Sequence, residues 1–355
     1  VTDFGALYAS VKNDGKSMGM LIEKYIGKLG RKLFLLFCWL FCLIVIAAFA
    51  DMVAGTFNAY TVVDGVTQLA DAAQTNGAAG MVSIMFMVFA VVFGLVQKKL
   101  NLSGWKEAVL GILCIVASFA VGMNCPLIFG KATWSYITFV YIFFAAVLPM
   151  WLLKQPRDYM TTFMFICMIA GAVVGLLVAH PTMNLPVFTG FNNEKLGTMF
   201  PILFVTVACG AVSGFHCMIS TGTTPKMLMN ERSILPVGYG AMVTESFVAM
   251  MALIAACALV PNDYFAINSS AAHFQALGIQ VVDLPQLNAM VGENVAHRPG
   301  GAVSLAVGMA FIFSNIPGLD HLMNYWYHFC IMFEALFIMT IIDAGTRVGR
   351  YMLQE

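Results

Sequence analysis

Ala208-Cys-Gly-Ala-Val-Ser-Gly-Phe-His-Cys-Met-Ile-Ser-Thr-Gly-Thr-Thr-Pro-Lys226 closes an apolar stretch that begins at Met199. Residues 199–219 have the length needed to cross a bilayer, about 20 residues, yet their second half is rich in glycine and polar groups. Gly210 and Gly214 stand at GxxxG spacing, which lets another backbone approach closely. Ser213 and His216 share a helix face, as do His216 and Ser220. A membrane helix interrupted by Gly and Pro unwinds locally, and its freed N–H and C=O groups then face a cavity instead of lipid. On this reading Ser213, Gly214, His216, Ser220, Thr221, Gly222 and Thr223 line a substrate site. The plainer alternative is a helix end, with Ser220 to Pro225 as a polar turn leading to Lys226.

The rest of the chain agrees with a membrane setting. Sixty per cent of the 355 residues are apolar and 10% are charged, against about 25% charged in soluble domains; mean hydropathy is +0.85. Apolar spans are expected at 33–57, 78–97, 106–123, 134–153, 159–179, 199–219 and 236–260, then at 302–316 and 322–343. The predicted fold class is therefore an all-α polytopic membrane protein, and residues 1–355 read as a single transmembrane domain. Lys+Arg and Asp+Glu balance at 18 each, so charge gives no argument for nucleic acid. There is no HExxH, GxSxG or GxxxxGK[ST], so no enzyme or bound nucleotide is expected. Of nine cysteines, only Cys125 falls in an expected loop; the others read as small packing residues, with no metal and no cofactor implied.

Basic residues set the orientation, because cytoplasmic loops are enriched in Lys and Arg. Lys12, Lys16, Lys24, Lys28, Arg31 and Lys32 precede the first span; Lys98, Lys99 and Lys106, then Lys154 and Arg157, then Lys226 and Arg232 fall on the same side if the spans alternate. Lys131, Lys195 and Arg298 fall opposite. Residues 1–32 are thus expected in the cytoplasm and 261–301 outside, the latter with helix-like fragments at 268–277 and 284–295. Arg347 and Arg350 also belong inside, so either 302–316 or 322–343 does not cross fully, or a further membrane segment lies within 262–300. The chain opens at Val1 within an ordered stretch, so we expect a piece of a longer polypeptide.

Ionisable groups at membrane depth need a partner or a task. Asp320, Tyr327 and Glu334 are spaced by seven, with His321, Tyr325 and His328 on a neighbouring stripe. Glu334, reckoned from a helix end at Gly345, lies near mid-span and is a proton-coupling candidate; Glu245 is a second. A hydrogen-bonded structural Glu is the alternative for Glu334. Asp343 and Arg347, at i and i+4, read as a structural ion pair at the membrane boundary. Asp51 reads as a snorkelling or capping residue, and Gln155-Pro-Arg-Asp-Tyr159 as a tight cytoplasmic turn that pins two helices. The Gly171/Gly175 pair serves packing either within the chain or between copies.

Several of these segments resemble a known family. Ser213-Gly-Phe-His216 with Ser220-Thr-Gly-Thr-Thr-Pro-Lys226, Gln155-Pro-Arg-Asp-Tyr159, Arg298-Pro-Gly-Gly-Ala302, Phe333-Glu-Ala-Leu-Phe337 and Asp343-Ala-Gly-Thr-Arg347 resemble motifs of the carbon starvation A family of bacterial transporters, in the same order; Asp3-Phe4 and Glu23-Lys-Tyr-Ile-Gly27 also fit. Pro299 departs from the Thr expected there and implies a stiffer loop. The resemblance implies a secondary transporter in the bacterial inner membrane that takes up a peptide or pyruvate with protons, its contacts being substrate, protons and lipid. It implies a fold similar to the amino acid–polyamine–organocation (LeuT-like) superfamily, incomplete at both ends: further N-terminal helices, one of them His-His/Gly-rich and broken, and helices beyond Arg347. A passive channel or facilitator, and a non-transporting sensor subunit, remain the alternatives.

Overall fold

A backbone in hydrocarbon must satisfy its own N–H and C=O groups, and the apolar stretches do so as helices. The computed structural model describes residues 2–63, 66–70, 72–101, 103–188, 190–193, 197–269, 274–275, 278, 280, 284–291, 295–296, 301–314, 316, 318 and 323–355. In chain order the helices are α1 (Thr2–Lys12), α2 (Met18–Tyr25), α3 (Lys28–Thr56), α4 (Ala73–Leu100), α5 (Trp105–Asn124), α6 (Lys131–Val147) and α7 (Lys154–Ala179). They continue as α8 (Met199–Val212), α9 (Gly214–Gly222), α10 (Ala241–Ala258), α11 (Pro261–Asn268), α12 (Leu284–Val291), α13 (Gly301–Ser314) and α14 (Met323–Gln354). Two antiparallel hairpins pair β1 (Tyr60–Val63) with β2 (Val66–Leu69), and β3 (Asn192–Asn193) with β4 (Gly197–Thr198). Among the described residues six helical segments have the length and apolarity to cross a membrane: α3, α4, α5, α7, Glu231–Ala258 and α14. α13 has 14 residues, which span about 21 Å, short of the roughly 30 Å of a hydrocarbon core.

The chain divides into two compact units. The first comprises Val1–Ala48, Pro186–Ala249 and Ile342–Glu355. In it, close approaches occur at glycines: a Cβ on Gly238 would stand 3.0 Å from the Phe4 ring, and one on Gly345 would stand 3.1 Å from the Phe215 ring. Arg31 pairs with Glu23, and the Lys226 ammonium lies 3.6 Å over the Tyr351 ring. Burial lowers the pKa of Lys226, with the Glu355 charge opposing.

The second unit comprises Phe49–Leu185 and Met250–Ile341. Gly175 of α7 admits α13 so closely that a Cβ would meet Ile312 at 2.8 Å and Phe313 at 3.2 Å; Gly171 meets the same phenylalanine. The Gly171/Gly175 spacing therefore serves packing within the chain. Arg157, fully buried, donates from Nη1 to the Tyr141 hydroxyl of α6 and from Nη1 and Nη2 to the Met339 and Leu336 carbonyls of α14. A buried guanidinium with three acceptors fixes three helices to one another.

Several expectations are corrected. Gln155 to Tyr159 is the first turn of α7 and not a loop, because proline is tolerated there, where its missing N–H has no partner to lose. Of its two charges Arg157 does pin helices, whereas Asp158 pairs with Lys154 on its own helix. The 134–153 span ends at Val147, since Pro149 disfavours helix in the residue before it. Gly345 does not end a helix: α14 runs to Gln354, and residues 342–349 are buried. Asp343 and Arg347 accordingly form a buried pair inside a helix, Nε to Oδ1 3.0 Å, and not one at a helix end. Asp51 lies inside α3 and so caps no helix end, while its exposed side chain, 2.8 Å from Lys131, is compatible with snorkelling. Residues 270–273, 276–277, Lys195, Arg298 to Gly300, Asp320 and His321 lie outside the described residues.

Candidate functional site

The apolar stretch at 199–219 is not one continuous helix. Ser213 takes φ −57° and ψ 119°, which is non-helical, and α8 stops on one side of it while α9 starts on the other. Ser213 then serves as the cap of α9: its hydroxyl oxygen accepts the His216 N–H at 3.3 Å. Serine is suited to this because a short side-chain oxygen reaches the first-turn donors of a helix. The remaining first-turn N–H groups of α9 have no acceptor within the helix, and the positive end of its dipole lies with them. That is a favourable environment for a carboxylate.

His216 stands one turn into α9, half-buried, between two carboxylates from other helices. Its Nδ1 is 3.9 Å from Asp3 Oδ2 of α1 and 4.0 Å from Glu245 Oε1 of α10. Asp3 Oδ1 is buried with no hydrogen-bond partner among the described residues. Glu245 follows shortly after a π-helical turn at Leu235–Gly240, a distortion that re-aims the residues after it. All three residues belong to the first unit. The cluster can hold a proton on any of three groups, and an imidazolium there would sit within ion-pair reach of both acids. One donor atom from each residue lies within 4.8 Å of the others, so the trio also has the composition of a divalent-cation site, where the sequence reading expects no metal.

The other expected site residues divide into two groups. Ser213, Gly214 and His216 lie at the break. Thr221, Gly222 and Thr223 are buried at the far end of α9. There the Thr221 hydroxyl donates to the Cys217 carbonyl at 3.1 Å and the Thr223 hydroxyl to the Ile219 carbonyl at 3.2 Å. Ser220 is half-buried between the two groups. The cavity beside Thr221 and Gly222 measures about 20 Å³, room for about one water. Glu334 belongs to the second unit, half-buried on α14, and makes no hydrogen bond or ion pair among the described residues. Asp3 was not anticipated as a site residue. It lies so far from His216 in the chain that no local spacing links them, and its place in a family-like Asp-Phe pair was the one available signal.

Helices long and apolar enough for a bilayer, one of the apolar stretches broken beside a titratable cluster, define a multi-pass α-helical membrane protein. The chain belongs to the carbon starvation protein CstA family, whose profile matches residues 1–355. It is 38% identical over 371 residues to the peptide transporter CstA of Bacillus subtilis, covering 100% of this chain and 58% of that protein. It is 38% identical over 389 residues to the peptide transporter CstA of Escherichia coli, covering 100% of this chain and 53% of the relative. The pyruvate/proton symporter BtsT of Escherichia coli is 36% identical over 412 residues, with 100% and 54% covered. The chain thus spans about half the length of these relatives, whose names are those of transporters. No solved structure matches.

Proposed function

We propose that this chain forms the central part of a proton-coupled symporter in the bacterial inner membrane, with residues 1–32 in the cytoplasm, that takes up a small carboxylate-bearing solute, a peptide or pyruvate. The observation that carries the reading is the Asp3–His216–Glu245 cluster set one turn from the helix break at Ser213. The break supplies unpaired N–H donors for a carboxylate, and the cluster supplies groups that exchange a proton at the same place. Ser213, Gly214 and His216 bind substrate at the break, and Ser220, Thr221, Gly222 and Thr223 form the far end of α9. Glu245 couples the proton through His216, and Glu334 is a second coupling group, being a carboxylate on an apolar helix with no ion-pair partner among the described residues. A broken α8–α9 pair is also what the LeuT-like fold would require of this segment. The relatives named as a peptide transporter and as a pyruvate/proton symporter support the substrate class equally.

The test is Glu245→Gln and Glu334→Gln, each in proteoliposomes. A coupling carboxylate turned into an amide stops gradient-driven accumulation while substrate exchange across the membrane continues. Unaltered accumulation in both variants would remove the two carboxylates from the mechanism.

A further inference from the structure

The second unit holds a cavity of about 410 Å³, within the range of small-molecule sites, roughly 300–1,000 Å³. It is bounded by the first turns of α4, the last turn of α5 with the residues after it, and the first turns of α14. The same helices carry Lys98, Lys99 and Lys106 at their opposite ends, so by the distribution of basic residues the cavity belongs to the outer side.

Its chemistry is set by His328. Nδ1 lies 2.6 Å from the Asn324 carbonyl, which can only accept, so Nδ1 carries the proton. In the neutral ring Nε2 is then an acceptor, and the Thr75 hydroxyl donates to it at 2.9 Å. With its one proton committed, Thr75 Oγ1 keeps a lone pair able to accept from a ligand N–H. Gln74 and Tyr325 add an amide and a phenol to the lining, and Phe119, Phe329 and Met123 add apolar surface. Among the described residues no Asp, Glu, Lys or Arg lines the space. With the His328 ring neutral, an ionised group entering it would lose its water without gaining a counter-charge from these side chains. A neutral amide meets both requirements: Thr75 accepts its N–H, Gln74 or Tyr325 donates to its C=O, and one apolar side chain packs on the phenylalanines and the methionine.

We propose that this cavity is a second binding site, selective for a small uncharged amide-bearing solute with one apolar side chain. It differs in ligand chemistry from the helix break, whose free N–H groups suit a carboxylate. The proposal does not depend on the transport reading, because binding is measured with no gradient and no flux.

The experiment uses the full-length protein in lipid nanodiscs and isotope-labelled N-acetylphenylalanine amide, with saturation followed by NMR. Saturable binding is expected, displaced by N-acetylleucine amide and not by acetate. Thr75→Val should weaken it roughly three- to tenfold, the worth of one hydrogen bond. Met123→Trp, at an exposed position on the rim, should abolish it by filling the space without touching the core. If Thr75→Val fails to fold, Met123→Trp decides alone. Absence of saturable binding, binding that acetate displaces, or binding that Met123→Trp leaves intact overturns the proposal.

Discussion

Replacing Arg347 by Met and Asp343 by Leu, singly and together, measures how the last helix tolerates its internal charges. The Asp343 side chain is 0% exposed and that of Arg347 is 4% exposed, with Nε 3.0 Å from Oδ1. Taking away the guanidinium leaves a carboxylate in a site with almost no water, which costs about 3–5 kcal/mol. Removing both charges and filling the space with apolar side chains of similar volume abolishes the desolvation penalty along with the attraction. The double variant should therefore be more stable than Arg347→Met, and within about 2 kcal/mol of the parent. Equilibrium unfolding in mixed micelles on titration with SDS gives the three free-energy changes. With each single loss at about 3–5 kcal/mol and the double within about 2, their coupling should reach at least about 4 kcal/mol. Additive single effects below about 1 kcal/mol, the size seen for exposed pairs, would refute the claim that the pair is buried within α14.

Lys131→Ala supplies the contrast: its bond to Asp51 is exposed on both sides, so the same titration should move by less than about 1 kcal/mol. Arg157→Met should destabilise by roughly 3 kcal/mol or more, since it removes three buried charge-assisted hydrogen bonds to α6 and α14. Arg157→Lys should recover only part of that, because one ammonium does not reproduce the planar fork. Gly175→Val should cost about 1–3 kcal/mol by thermal unfolding through its clash with Ile312 and Phe313, and a neutral result would mean α7 and α13 do not pack there.

Most of the helical spans were legible because hydrocarbon imposes one rule on the backbone, and long apolar runs can satisfy it only as helices. What was not legible depended on tertiary cover. Gly345 reads as an end when sequence alone is considered, yet α14 continues because Phe215 and Ile46 close over that glycine. The Gln155–Tyr159 segment reads as a turn from its Pro and charges, whereas its arginine is directed inward to acceptors on α6 and α14. At the candidate site the break was foreshadowed by Gly210, Ser213 and Gly214. The partner Asp3, and the Thr75–His328 contact across 253 positions, were beyond the reach of any spacing rule, since helical periodicity links residues only a few turns apart.

The most direct test of the central claim is uptake of labelled pyruvate and of a labelled dipeptide into proteoliposomes containing the full-length protein, with and without an inward proton gradient. With a gradient of about one pH unit, one-to-one coupling drives accumulation up to about tenfold, and one of the two solutes should accumulate only when the gradient is present. Equal internal and external concentrations under both conditions would identify a passive facilitator, and no flux of either solute through folded protein would contradict the transport account altogether.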